Sequence, residues 1–243
     1  MKNISPKNEL KRSPVKKAFR IIGLIAVIIL IVAAIVSSMN IKPSNSERVW
    51  EEQTTVGNMN AKNYFIIYSD IMCPYCVAFE NAIFEHEEEF EKYIKENDIL
   101  VEVRLSDFLY EYGEAQPINS RYSAEATYCA KNENRFWDYY KFAIRTVWDD
   151  YFKDSGKSAF SEMNKLTKDY WIGLGKKIGL GEEFENCVRN DEPLEELIAN
   201  SRKMSKLING MPYFKFNNYT ESGFSLTWGW EYVKMYFKAG LDS

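Results

Sequence analysis

The most constraining feature is a junction. The run Tyr64-Phe65-Ile66-Ile67-Tyr68 is continuously apolar and β-prone, and passes through Ser69-Asp70 into Cys73-Pro74-Tyr75-Cys76. An unbroken apolar and β-prone run of this length predicts a buried strand. Beyond the cysteines, Phe79, Ile83, His86, Phe90 and Ile94 recur at spacings of four, three, four and four, which predicts one long amphipathic helix. Ile99 to Leu105 reads as a second strand. Strand, helix and strand in that order form a βαβ unit, normally right-handed with parallel strands.

The pattern is helical from Phe108 to Ile208. After Gly210-Met211-Pro212 a strand is expected over Tyr213 to Phe216, then a turn at Asn217-Asn218 and a short strand near Phe224 to Trp228. Trp230 to Ala239 should close the chain as a helix. The reading divides the chain into a basic tail (1–20), an apolar span (21–39), a linker (40–53), a first α/β part (54–107), a helical insertion (108–208) and a second α/β part (209–243).

The span is argued from charge and length. Seven Lys or Arg stand against Glu9 alone in residues 1–20, so the rest of the chain is more acidic than the formal net charge of −4 suggests. An acidic folded part argues against nucleic acid as a partner, because phosphate binding needs a basic face. Ile21 to Met39 carries no charge, and nineteen residues at 1.5 Å each reach about 28 Å, enough to cross a hydrocarbon core. The basic flank predicts a cytoplasmic N-terminus, a single-pass anchor and an extracytoplasmic domain. The alternative is a cleaved signal peptide, for which Val36-Ser37-Ser38 is a poor cleavage site. Both deliver the domain to an oxidising compartment.

A Cys-x-x-Cys pair is a redox dithiol, half of a metal site, or coincidence. Cys73 is expected at the first turn of a helix, where backbone N–H groups and the dipole stabilise an anion. Pro74 suits that turn because it gives up no needed N–H. Cys76 points back toward the core as a resolving thiol. No second Cys-x-x-Cys or paired histidine completes four ligands, so neither a metal nor another cofactor is expected.

Gly57-Asn58, Ala61-Lys62, the strand to Ser69-Asp70 and Cys73-Pro74-Tyr75-Cys76 resemble the opening of the DsbA-like thioredoxin-fold proteins. Gly210-Met211-Pro212-Tyr213-Phe214 resembles that family's cis-proline loop, and the helical stretch between resembles its inserted domain. The resemblance implies an α/β thioredoxin-like fold with an inserted all-helical domain, here preceded by one transmembrane helix. It implies a thiol:disulfide oxidoreductase that introduces disulfides into exported proteins. Cys73 and Cys76 would be catalytic, Pro74, Tyr75, Met211 and Pro212 would shape the site, and a membrane quinone-linked partner (DsbB-like or VKOR-like) would reoxidise it. Two positions depart from the pattern. Met211 stands where Thr or Val is common, and Ile67 occupies the place, six before the first cysteine, where thioredoxins and many relatives hold a buried acid. Asp70 is nearer the motif, as a helix cap or a proton carrier.

Cys129 and Cys187 fall on apolar helix faces, either as inert buried thiols or as a structural disulfide. Some DsbA-like proteins carry a second disulfide in this domain, which favours pairing. His86, the only histidine, reads as a core residue of its apolar stripe. Glu85, Glu87, Glu88, Glu89 and Glu91 read as a solvated face, Trp137, Trp148 and Trp171 as helix packing, and Asn218-Tyr219-Thr220 as a chance glycosylation tripeptide. The competing functions are a reductase or isomerase on the same fold, a non-catalytic thioredoxin-like binding module, and a metal scaffold.

Overall fold

The computed structural model describes residues 52–114, 116–155 and 160–243. The expected basic tail, the span over 21–39 and nearly all of the linker lie outside the described residues. Among the described residues, no helix is long and apolar enough to cross a membrane.

Five strands, β1 (Thr55–Gly57), β2 (Asn63–Ser69), β3 (Ile99–Leu105), β4 (Tyr213–Phe216) and β5 (Tyr219–Ser222), form one sheet in the order β1-β3-β2-β4-β5. β2 and β3 are parallel, and every other pair is antiparallel. Gly57 ends β1 at φ 107, and a side chain there would meet the Ile99 carbonyl at 2.5 Å, so only glycine lets the two strands approach.

β2 is the centre, and its uniform apolarity follows from that place. Its odd positions, Phe65 and Ile67, join a core with Phe214, Phe216 and Phe237. Phe65 lies 4.5 Å, centroid to centroid, from Phe237 and 5.5 Å from Phe216. Its even positions, Tyr64, Ile66 and Tyr68, pack with Met204 and Ile208 on the other face. The strand is therefore covered by helices on both sides.

The helices are α1 (Pro74–Glu85), α2 (Glu87–Glu96), α3 (Phe108–Tyr112), α4 (Ile118–Asn132), α5 (Phe136–Val147), α6 (Lys168–Lys177), α7 (Glu182–Arg189), α8 (Leu194–Met204) and α9 (Trp230–Leu241). Between α5 and α6 lie a π-helical turn (Trp148–Phe152) and two short helical turns. α3 to α8 form the insertion between β3 and β4. Polar contacts tie it internally: Trp171 donates its indole N–H to Asn119 Oδ1 at 2.7 Å, and Tyr139 donates to the Trp171 carbonyl at 3.0 Å.

Three sequence expectations are corrected. The helix predicted through Ile94 divides at His86, whose φ of −119° and ψ of 38° leave helical geometry. The break suits the charges, since Glu87, Glu88 and Glu89 then sit in the first turn of a new helix, where the dipole favours them. Arg145 donates to the Phe84 carbonyl freed at the break. His86 is consequently no core residue: its side chain is 43% exposed and stacks on Trp230. Secondly, the helical pattern expected from Phe108 to Ile208 is interrupted at Leu166 and Thr167, because Asn119 Nδ2 donates to the Leu166 carbonyl at 2.8 Å and Thr167 is extended. Thirdly, the last strand is Tyr219–Ser222 rather than 224–228. Asn217 takes a φ of 50°, so the Asn217-Asn218 turn reverses the chain at once and pairs Phe216 with Tyr219.

Candidate active site

Cys73 occupies the N-cap of α1, with Pro74 in the first helical position. The loop that presents it is closed by its own backbone: Cys73 N donates to the Asp70 carbonyl at 2.9 Å, and the Cys73 carbonyl accepts from Val77 N at 3.0 Å. Proline at the next position costs nothing, since first-turn N–H groups have no helical acceptor. Tyr75 is half-buried against the core.

The two sulfurs differ in surroundings. Cys73 is 4% exposed and its Sγ lies 3.7 Å from the Met211 carbonyl oxygen. Cys76 is wholly enclosed, at 0%. Burial pushes the Cys76 thiol well above its ordinary pKa, reinforced by its hydrogen bond with Cys73 and by the negative charge of Cys73 and Glu80. Both cysteines are free thiols here. The Met211-Pro212 peptide is cis, and Pro212 is buried while Met211 is half-buried. Met211, Phe108 and Tyr213 form an apolar margin packed on Tyr64, Ile66, Tyr68, Met204 and Ile208.

Asp70 does not cap α1. Its buried carboxylate accepts from Met72 N at 2.8 Å, from Leu109 N at 2.9 Å and from Ser120 Oγ at 2.6 Å. Two of these donors belong to the insertion, so Asp70 joins the cysteine loop to the inserted helices. Desolvation raises its pKa to about 6 against the three hydrogen bonds that lower it.

A second buried acid was missed from the sequence. Glu80 is 1% exposed and lies one helical turn beyond Cys76 on α1, on the same face. Desolvation raises its pKa to about 8, while Tyr140 of α5 and Ser69 of β2 lean toward the carboxyl and stabilise the ionised form. None of these three side chains completes a hydrogen bond of full geometry. The available signal was the helical spacing of four from Cys76 to Glu80 on a helix buried at nearly every position.

Cys129 of α4 and Cys187 of α7 are bonded, with Cα atoms 5.8 Å apart, and the bridge spans 58 residues of sequence. No group of three or more His, Cys, Asp or Glu able to hold a metal ion occurs among the described residues.

The profile of the family described as thioredoxin matches residues 50–220. No curated protein matches the sequence significantly. Among solved structures, Wolbachia pipientis alpha-DsbA1 is similar at 15% identity and a TM-score of 0.55, over 82% of this chain and 96% of that one. A thioredoxin-like oxidoreductase from Silicibacter pomeroyi is similar at 13% identity and a TM-score of 0.53, over 79% of this chain and 95% of that one. At such identities the likeness is one of fold, and it includes the region of the inserted helices. With the profile matched over most of its length, the chain belongs to the thioredoxin family and carries the DsbA-like form of its fold.

Proposed function

We propose that the protein is a thiol:disulfide oxidoreductase that introduces disulfides into exported proteins through Cys73 and Cys76. The observation that carries this reading is the asymmetry of the two sulfurs. Cys73 stands at a helix N-terminus beside the Met211 carbonyl, and Cys76 is sealed behind it. A thiolate at a helix N-terminus is a good leaving group, which favours the reduced dithiol and makes the disulfide oxidising.

In the working cycle, a client thiolate attacks Cys73 Sγ of the Cys73–Cys76 disulfide and Cys76 departs. A second client thiolate then attacks the client sulfur of the mixed disulfide and releases Cys73. The client leaves with a disulfide and the protein is left as the dithiol. The Met211 backbone offers an extended client a hydrogen-bonding partner next to the reacting sulfur, while the apolar margin of Met211, Phe108 and Tyr213 receives its side chains.

Residues 21–39 anchor the chain in the membrane with the domain outside, and a quinone-linked membrane protein of the DsbB-like or VKOR-like kind reoxidises the dithiol. The Cys129–Cys187 bridge supports this placement, because structural disulfides persist in oxidising compartments. The deciding measurement is the reduction potential of the Cys73–Cys76 couple in glutathione buffer. A value near −120 to −180 mV supports the oxidase, and one near −270 mV assigns the protein to reduction.

A further inference from the structure

Asn209-Gly210 is the one Asn-Gly pair in the chain, and it heads the loop that brings the Met211 carbonyl within 3.7 Å of Cys73 Sγ. An asparagine followed by glycine carries a reaction of its own. The backbone nitrogen of the glycine attacks the asparagine side-chain carbonyl, and the missing Cβ leaves that approach open. Folded structure prevents this where it holds the backbone in a helix or keeps both groups hydrogen-bonded.

Asn119 and Asn200, the two asparagines of the described helices that precede serine, have such protection. Asn119 is buried, accepts from the Trp171 indole at 2.7 Å and donates to the Leu166 carbonyl at 2.8 Å, and the N–H after it, on Ser120, donates to the Pro117 carbonyl at 2.9 Å. Asn200 lies within α8 and donates to the Tyr128 hydroxyl at 3.0 Å. The N–H after it is engaged in the helical ladder. Asn209 lacks each restraint. It lies past the end of α8 and is exposed, and no described residue hydrogen-bonds its amide or the Gly210 N–H. A Cβ at Gly210 would find no atom within 4 Å, so the surroundings are open.

The two ends of this loop are fixed. Ile208 is buried with Tyr64, Ile66 and Tyr68, and its N–H donates to the Met204 carbonyl at 3.0 Å. At the other end, Gly223 N donates to the Pro212 carbonyl at 2.8 Å. An extra main-chain atom entering between them has to be absorbed by residues 209–211.

We propose that Asn209-Gly210 is a self-modifying site, whose conversion to isoaspartate displaces Met211 and slows exchange with polypeptide clients. The effect on clients rests on exchange at the Cys73–Cys76 pair; the modification does not. Gly210 N forms a bond to Asn209 Cγ, the Cγ–Nδ2 bond breaks, and ammonia leaves with the Gly210 amide proton. Water then opens the five-membered succinimide. Opening at Cγ yields aspartate on a normal backbone. Opening at the main-chain carbonyl yields isoaspartate, whose backbone runs through Cβ and Cγ and is one atom longer. Nothing is oxidised or reduced.

The test is incubation of the purified full chain at pH 8.5 and 37 °C for two weeks, with Asn209→Gln alongside. Peptide mapping with electron-transfer fragmentation should find deamidation at Asn209 at least tenfold ahead of Asn119 and Asn200, with isoaspartate the larger product. The oxidised samples are then reacted with a synthetic peptide carrying two cysteines and with dithiothreitol. Converted molecules should react at least fivefold more slowly with the peptide. The dithiothreitol rate, which needs no backbone pairing, should stay within twofold. Asn209→Gln, whose longer side chain closes a ring far more slowly, should keep its mass and its peptide rate throughout. Deamidation at Asn209 no faster than at the helical asparagines overturns the site. Conversion with an unchanged peptide rate, or with both rates falling together, overturns the effect on Met211. A fresh wild type that reacts with neither reagent at Cys73–Cys76 overturns the exchange reading and the effect on clients with it, and the peptide maps still decide the modification.

Discussion

The Ser120 hydroxyl donates a 2.6 Å hydrogen bond to the buried carboxylate of Asp70, joining the cysteine loop to the first long helix of the insertion. Because the Asp70 pKa is raised to about 6 from an ordinary 3.8, the folded state binds this proton more tightly than the unfolded chain. The associated stability is complete below about pH 4 and is lost as pH rises through 6, amounting to roughly 3 kcal/mol. Ser120→Ala removes a donor that serves the ionised form. It should cost about 1–3 kcal/mol at pH 8 and clearly less at pH 4. Urea unfolding at the two pH values measures this, and an equal cost at both would show that the hydroxyl does not serve the carboxylate.

The unequal enclosure of the two thiols predicts an order of labelling. Iodoacetamide applied briefly to the reduced protein should modify Cys73 at least tenfold faster than Cys76, since Cys76 has no exposed surface and its thiol resists ionisation. Peptide mapping by mass spectrometry reads the sites. Comparable labelling of both would remove the distinction between attacked and resolving sulfur.

The Cys129–Cys187 bridge ties α4 to α7 across 58 residues. In the chain-entropy account, replacing both cysteines by alanine should lower stability by about 4 kcal/mol. Dithiothreitol should still reduce the Cys73–Cys76 pair of the folded variant, because the bridge joins two helices of the insertion and includes no residue of the cysteine loop. Denaturant titration paired with an exchange assay checks both parts; unchanged stability would contradict the first.

Gly240 stands in the last turn of α9, where a side chain would collide with Phe216. An added Cβ would come to 2.1 Å from Phe216 Cγ and 2.4 Å from its Cβ, atoms too near the backbone to swing aside. Gly240→Ala should therefore destabilise by about 1–3 kcal/mol despite the better helix propensity of alanine. A midpoint at or above wild type in thermal unfolding would show that the helix shifts freely on the sheet.

What could be read in the chain beforehand follows the range of the interactions responsible. Tyr64 to Tyr68 declared a buried strand because both of its faces are apolar, and Cys73-Pro74 declared a helix start because proline and a capping position are local properties. Glu80 shares the face of Cys76 by its spacing of four, but its burial depends on Tyr140, 60 positions later, and by type it resembles the solvated acids of α2. The break at His86 was hidden for a similar reason: the spacing of Ile83, His86 and Phe90 is helical, but Arg145 takes the Phe84 carbonyl from another element. The misplaced last strand had a local cause instead, the left-handed Asn217, which an Asn-Asn pair permits without announcing.

The position of β4 has a consequence for how the molecule comes into being. β2 meets β3 soon after it in the chain, yet its other neighbour arrives only after the whole insertion; Tyr64 N and Asn217 Oδ1 are joined across 153 positions. During synthesis from the N-terminus, β2 and β3 are available to pair while one border of the most apolar strand stays open. An open border of that kind recruits other chains as readily as its own. The nascent protein is thus most prone to aggregate in the interval before Phe216 is made, and truncations ending in α8 should accumulate as insoluble material.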